Sequence, residues 1–90
     1  PRTLGARALA LAATGQRRRA NALVDLGLAL DATDPDSLTL LALAARACRR
    51  PADARNSATR ALQRPRISAV TRALIATTWP GLSRSPSSLR

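Results

Sequence analysis

Apolar residues recur at helical spacing along most of the chain. Leu4, Ala8 and Leu11 stand at i, i+4 and i+7, which predicts a helix over residues 3–14 with Thr3 as its cap. Gly15 supplies a left-handed stop. Ala20, Leu23, Val24, Gly27 and Leu28 form the inward stripe of a second helix, over residues 17–30, with Asn21 and Asp25 on its polar side. Leu26 and Leu30 widen its apolar surface, as in a helix sandwiched between neighbours. Gly27 lowers helix propensity, and close helix–helix approach is the use expected of it. Asp31 to Pro35 reads as a turn, and Pro35 forbids continuation of the preceding helix.

A third helix is expected from Asp36 or Ser37 to Cys48, with Leu38, Leu41, Ala42 and Ala45 on one side. Pro51 opens a fourth, over residues 51–63, striped by Ala54, Ala58, Ala61 and Leu62. Pro65 stops it. Ile67, Val70 and Leu74 predict a fifth over residues 67–78, ended by Pro80-Gly81. No segment alternates with a period of two, so the fold class is all-α. Residues 1–79 read as one helical domain and 80–90 as a flexible Ser/Arg/Pro tail.

Sliding the chain along itself by one period superposes one helix pair on the next. Leu4 falls on Leu38, Ala8 on Ala42, Leu9 on Leu43, Ala20 on Ala54 and Leu28 on Leu62. The turns coincide too, Gly15-Gln16 against Arg49-Arg50. A two-helix unit with a period of about 34 residues resembles the tetratricopeptide repeat family. Leu4, Ala8, Leu11, Ala20 and Val24 take the pattern positions in residues 3–36, and Leu38, Leu41, Ala42, Ala45, Ala54 and Ala58 in residues 37–66. Residues 67–79 fit the first helix of a third repeat or a capping helix. The family's aromatics are replaced by Leu, Val and Ala, Arg7 stands where a Leu is usual, and Pro35 comes late. A generic array of Ala-rich hairpins is the alternative.

The resemblance implies antiparallel helix pairs stacked as an α-solenoid, with the first helices lining a groove for a peptide, a helix or further repeats. Carried onto this chain, the groove side holds Arg2, Gly5, Leu9, Ala12 and Ala13. It continues through Asp36, Thr39, Leu43, Arg46 and Ala47. The carboxylate clamp of some family members is not evident, because its places hold mostly Gly, Ala, Thr and Leu. A mainly apolar groove with Arg2 and Arg46 at its margin suits an apolar or amphipathic segment, with an acidic residue as a further option. The expected function is a non-enzymatic protein-binding module or scaffold.

Charge adds a rival. The 90 residues carry a net charge of +10, all the cations being arginine. Genomic composition bias explains the Arg and Ala excess most simply; an anionic partner is the functional explanation. Arg17-Arg18-Arg19 at a helix start is either a solvated turn, the plainer reading, or an anion site. With Arg49, Arg50, Arg55, Arg60, Arg64 and Arg66 it makes nucleic acid or another anionic polymer the alternative partner. One aromatic, Trp79, offers little base stacking. Ile67 to Arg72 is faintly similar to the recognition helix of helix-turn-helix repressors, but its spacing is short and Pro65 replaces the turn Gly.

Catalysis is not expected. There is no His, Lys or Glu, and Cys48 is the sole cysteine. The five aspartates sit where capping and the helix dipole explain them, so no cofactor or metal is expected either. Cys48 should be a small buried helix residue. No stretch is long and apolar enough for a transmembrane helix. The chain opens on Pro1 and reads as a piece of something longer. The cytoplasm is the favoured compartment, with a periplasmic or secretion-associated one as alternative. An Ala-rich core and the apolar Leu26 and Leu30 predict self-association or packing against more protein.

Overall fold

A computed structural model describes residues 2–30 and 34–83, with the side chains of Arg2, Thr3 and Ser83 outside the description. The helices are α1 (Arg2–Ala13), α2 (Arg17–Ala29), α3 (Pro35–Ala47), α4 (Pro51–Leu62), α5 (Ala69–Thr78) and the single turn α6 (Pro80–Ser83). Among the described residues there is no strand, and the protein is all-α.

Local chemistry sets the ends. α1 closes at Gly15, whose φ is 85°. The Gln16 amide donates to the Leu11 carbonyl at 2.8 Å and the Gly15 amide to that of Ala12 at 3.2 Å. This doubly bonded left-handed stop satisfies two carbonyls that the helix leaves orphaned. The same geometry recurs at the matching place in the second helix pair, where Arg50 donates to Ala45 at 2.9 Å and Arg49 to Arg46 at 3.1 Å. The left-handed residue there is Arg49, at φ 62°. Helix starts recur as well. The Asp34 carboxylate accepts from the Ser37 amide at 2.9 Å. The Ser68 hydroxyl, at the start of α5, accepts from the Thr71 amide at 3.1 Å.

Several boundaries differ from the sequence expectation. Thr3 lies inside α1 and so does not cap it. Pro35 is the first residue of α3 rather than only the end of the previous turn. Its fixed φ suits a first helical turn, whose N–H has no intrahelical partner anyway. α5 begins after Ser68, so Ile67 precedes it. Pro80 likewise opens α6, which takes residues 80–83 out of the expected tail; residues 84–90, like Asp31, lie outside the described residues.

α1 and α2 run antiparallel: a Cβ built on Gly27, late in α2, would lie 3.4 Å from Leu4 Cδ2 at the start of α1. α3 and α4 do the same. Leu38 and Ala42 pack with Ala58 and Ala61, while Ala45 and Cys48 pack with Ala54. α3 is central and touches α1, α2, α4 and α5. Gly27 has the use expected of it, since its added Cβ would also come within 2.7 Å of Leu41 Cδ1. Gly5, assigned to the groove side from the sequence, is instead buried at the α1–α3 crossing. A Cβ there would meet Leu40 Cβ at 2.8 Å and the Leu41 backbone nitrogen at 3.1 Å.

The core is built from small residues. Eight of the thirteen buried apolar residues among those described are alanine, and only Leu38, Ile75 and Val24 are large, apolar and fully enclosed. Each buried methyl stabilises by about 0.8 kcal/mol, well below a leucine side chain, so close backbone approach replaces bulk.

The inward stripe of α5 is not the predicted one. Ile75 is fully buried, whereas Val70 is 80% and Leu74 43% exposed. Starting at Ala69 and touching α3, α4 and α6, the helix turns Ile75 to the core and leaves its Val70–Leu74 side uncovered.

Candidate functional site

α3 packs against both α1 and α5. Gly5 of α1 meets Leu40 and Leu41 of α3. The Thr71 hydroxyl of α5 donates to Asp36 Oδ1 of α3 at 3.1 Å and accepts from the Ser68 hydroxyl at 2.9 Å. This short relay ties the cap of α5 to the first turn of α3. Trp79, which follows α5, packs against the core cluster that contains Ala45 and Ala54 and lines a cavity with Arg46.

Between α3 and α5 is an open hollow of about 220 Å³, walled by Asp36, Thr39, Leu40, Leu43, Thr71 and Leu74. Three residues predicted for the groove, Asp36, Thr39 and Leu43, come together here. Thr39 is buried and its hydroxyl donates to the Pro35 carbonyl at 2.7 Å, so a polar group is satisfied within its own helix. The hollow is therefore lined chiefly by leucine, with the Asp36–Thr71 bond at its rim.

The other groove residues are placed elsewhere. Leu9 is half-buried against the core that contains Ala8 and Ala45, and Ala13 is exposed. Arg46 is exposed and lines a separate cavity beside Trp79. The side chain of Arg2 lies outside the described residues. Leu40, Thr71 and Leu74 are new members of the hollow. Periodicity alone places Leu74 in the core, because it identifies an apolar face but not whether a neighbour covers it.

Arg17, Arg18 and Arg19 are exposed, and Arg19 donates to Gln16 Oε1 at 3.0 Å. The α2 start has no side-chain cap. Arg50 behaves differently from its neighbours. It bridges Asp25 of α2 at 2.7 Å and Asp53 of α4 at 2.8 Å, joining the two helix pairs, and its bond to Asp25 above all holds the guanidinium more basic than usual. The i, i+3 spacing to Asp53 is visible in the sequence; the link to Asp25 is not. Cys48 is 5% exposed. Burial pushes its thiol pKa up, against smaller opposing pulls from Arg50 and Arg17. Leu26 and Leu30 are 49% and 53% exposed on the outer side of α2.

Among the described residues no group of His, Cys, Asp or Glu is arranged to hold a metal ion, and no helix is long and apolar enough to cross a membrane. No protein-family model matches the chain, and no curated protein or solved structure matches it.

Proposed function

We propose that the chain is a tetratricopeptide-like α-solenoid segment that acts by binding, not by catalysis. It receives a peptide, a partner helix or further repeats on the face shared by α1, α3 and α5. The observation that carries this reading is the leucine-lined hollow between α3 and α5, which contains Thr39 and Leu43 and is left open beside the exposed Val70 and Leu74. The recurrence of caps and left-handed stops at the repeat spacing supports the repeat architecture. An apolar hollow rimmed by one carboxylate and hydroxyls suits an amphipathic segment that sets one or two apolar side chains into it.

The test is selection of random short peptides on the immobilised chain, followed by titration of the enriched sequences. The expected result is enrichment of peptides with spaced apolar residues, weakened by Leu43→Glu roughly tenfold or more while helix content is kept. Binding indifferent to Leu43→Glu contradicts the groove. Exposed arginines at the turn ends of the pairs, Arg17, Arg18, Arg19 and Arg49, favour the rival of an anionic polymer. Oligonucleotide binding that outcompetes the peptides and falls steeply with salt would support that rival.

A further inference from the structure

A second cavity, of about 450 Å³, lies beside Trp79 and is walled by Arg46, Arg49, Pro51, Ala54 and Arg55. The three arginines come from three places: the last turn of α3, the left-handed stop, and the second turn of α4. All three are exposed, and none makes a hydrogen bond or ion pair with another described side chain. No carboxylate lines the cavity. Asp25 and Asp53 are both held by Arg50, which is not part of the wall. Arg50 thus engages both of these carboxylates, and Arg46, Arg49 and Arg55 pair with neither. The floor between them is apolar: fully buried Ala54, the Pro51 ring and the half-buried Trp79 indole.

The Arg49 backbone sits at φ 62°, while the equivalent stop in the preceding helix pair uses Gly15, for which φ 85° carries no steric penalty. The fold needs a left-handed residue there, but it has no use for the guanidinium. The left-handed stop explains the backbone, and the side chain it carries is a third cation on the wall of the cavity.

We propose that this cavity binds a carboxylate carried next to an apolar side chain on a partner peptide. The assignment rests on the protein-binding reading above and adds a site on a different part of the molecule from the leucine-lined hollow. Guanidinium forks match carboxylate geometry, and the Trp79–Pro51–Ala54 floor accepts the neighbouring apolar group. Single-stranded nucleic acid fits less well. It gains affinity from successive stacking platforms, and Trp79 is the chain's single aromatic residue.

That single tryptophan makes the test direct, because the emission of the intact chain reports on this cavity. Four probes are titrated: an acetylated Asp-Leu-Asp-Leu peptide, its Asn-Leu-Asn-Leu twin, inorganic phosphate and an oligothymidylate. The acidic peptide should change the emission saturably, and the amide twin should not. Arg49→Gly keeps the stop and Arg55→Gln keeps the helix, so both variants should remain folded by circular dichroism. Each should weaken the acidic peptide roughly tenfold, as expected for loss of a charge-assisted bond. Leu43→Glu should leave this titration within about twofold, because the two sites are separate. An emission change equal in wild type and Arg49→Gly, or no change at all, overturns the proposal. Tighter, Arg49-dependent binding of phosphate or oligothymidylate overturns the carboxylate assignment. A loss through Leu43→Glu as large as that through Arg49→Gly overturns the claim of a second site.

Discussion

Arg49 and Gly15 fill the same turn in successive helix pairs, at φ 62° and φ 85°. A side chain in the left-handed region costs about 1–2 kcal/mol, which glycine avoids. Arg49→Gly should therefore stabilise the chain by about 1 kcal/mol and raise the melting temperature by about 4–8 °C, as read by thermal circular dichroism. An unchanged or lower melting temperature would show that the arginine side chain stabilises the turn. Cys48, one residue earlier, gives a pH signature. Burial raises its thiol pKa in the folded state above the unfolded value. Its contribution to stability is then fully present below the unfolded pKa, about 8.5. It is lost as pH rises toward the folded pKa, because the unfolded chain releases the proton first. Thiol labelling of the native protein should accordingly be slow at neutral pH, with a midpoint above the ordinary cysteine range. Fast labelling at neutral pH would mean that the Arg50 and Arg17 charges outweigh burial.

At the level of helices, the two interior glycines should respond differently to the same change. Ala at Gly5 would press on Leu40 Cβ and the Leu41 backbone, neither of which can swing away. The clash should cost about 1–3 kcal/mol, only partly offset by the gain of about 1 kcal/mol in helix propensity. Ala at Gly27 would meet mainly the tip of Leu41, 2.7 Å away but free to change rotamer. Denaturant unfolding should show Gly5→Ala clearly destabilised and Gly27→Ala within about 1 kcal/mol of the parent. Equal losses would mean that both crossings are equally rigid. These two residues also show how much can be read in advance. The role of Gly27 is legible because it interrupts a leucine stripe. That of Gly5 is not, because its neighbour lies on α3, far along the chain, and leaves no mark within α1. The hairpins and their stops are legible for the same local reason: Gly15, Pro51 and Pro65 act on their own backbone. Of the hollow, Asp36, Thr39 and Leu43 follow from the family resemblance. Leu74 does not, because exposure depends on what packs alongside. Pro80 misleads because proline both ends one helix and starts another.

For the molecule as a whole, an alanine core and an uncovered rim act together. Leu26 lies on α2 and Leu30 caps its end, while Val70 and Leu74 lie on α5, and each pair exposes apolar surface. With so little bulk buried, the isolated chain should be marginal and should associate through such surfaces. Leu26→Glu should lower the association seen by sedimentation more than it lowers helix content. A concentration-independent melt of a clean monomer, unchanged by Leu26→Glu, would show that the exposed leucines are incidental. The charge of +10 also gives the turn ends of both pairs a basic character that an acidic partner would feel before contact. The central claim is that the shared face of α1, α3 and α5 is where a peptide binds. It is tested most directly by titrating a selected peptide into isotope-labelled chain and mapping amide shift changes by NMR. The account predicts that the largest changes fall on Leu40, Leu43, Thr71 and Leu74. Changes confined to Arg17, Arg18 and Arg19, or larger changes with an oligonucleotide than with any peptide, would contradict it.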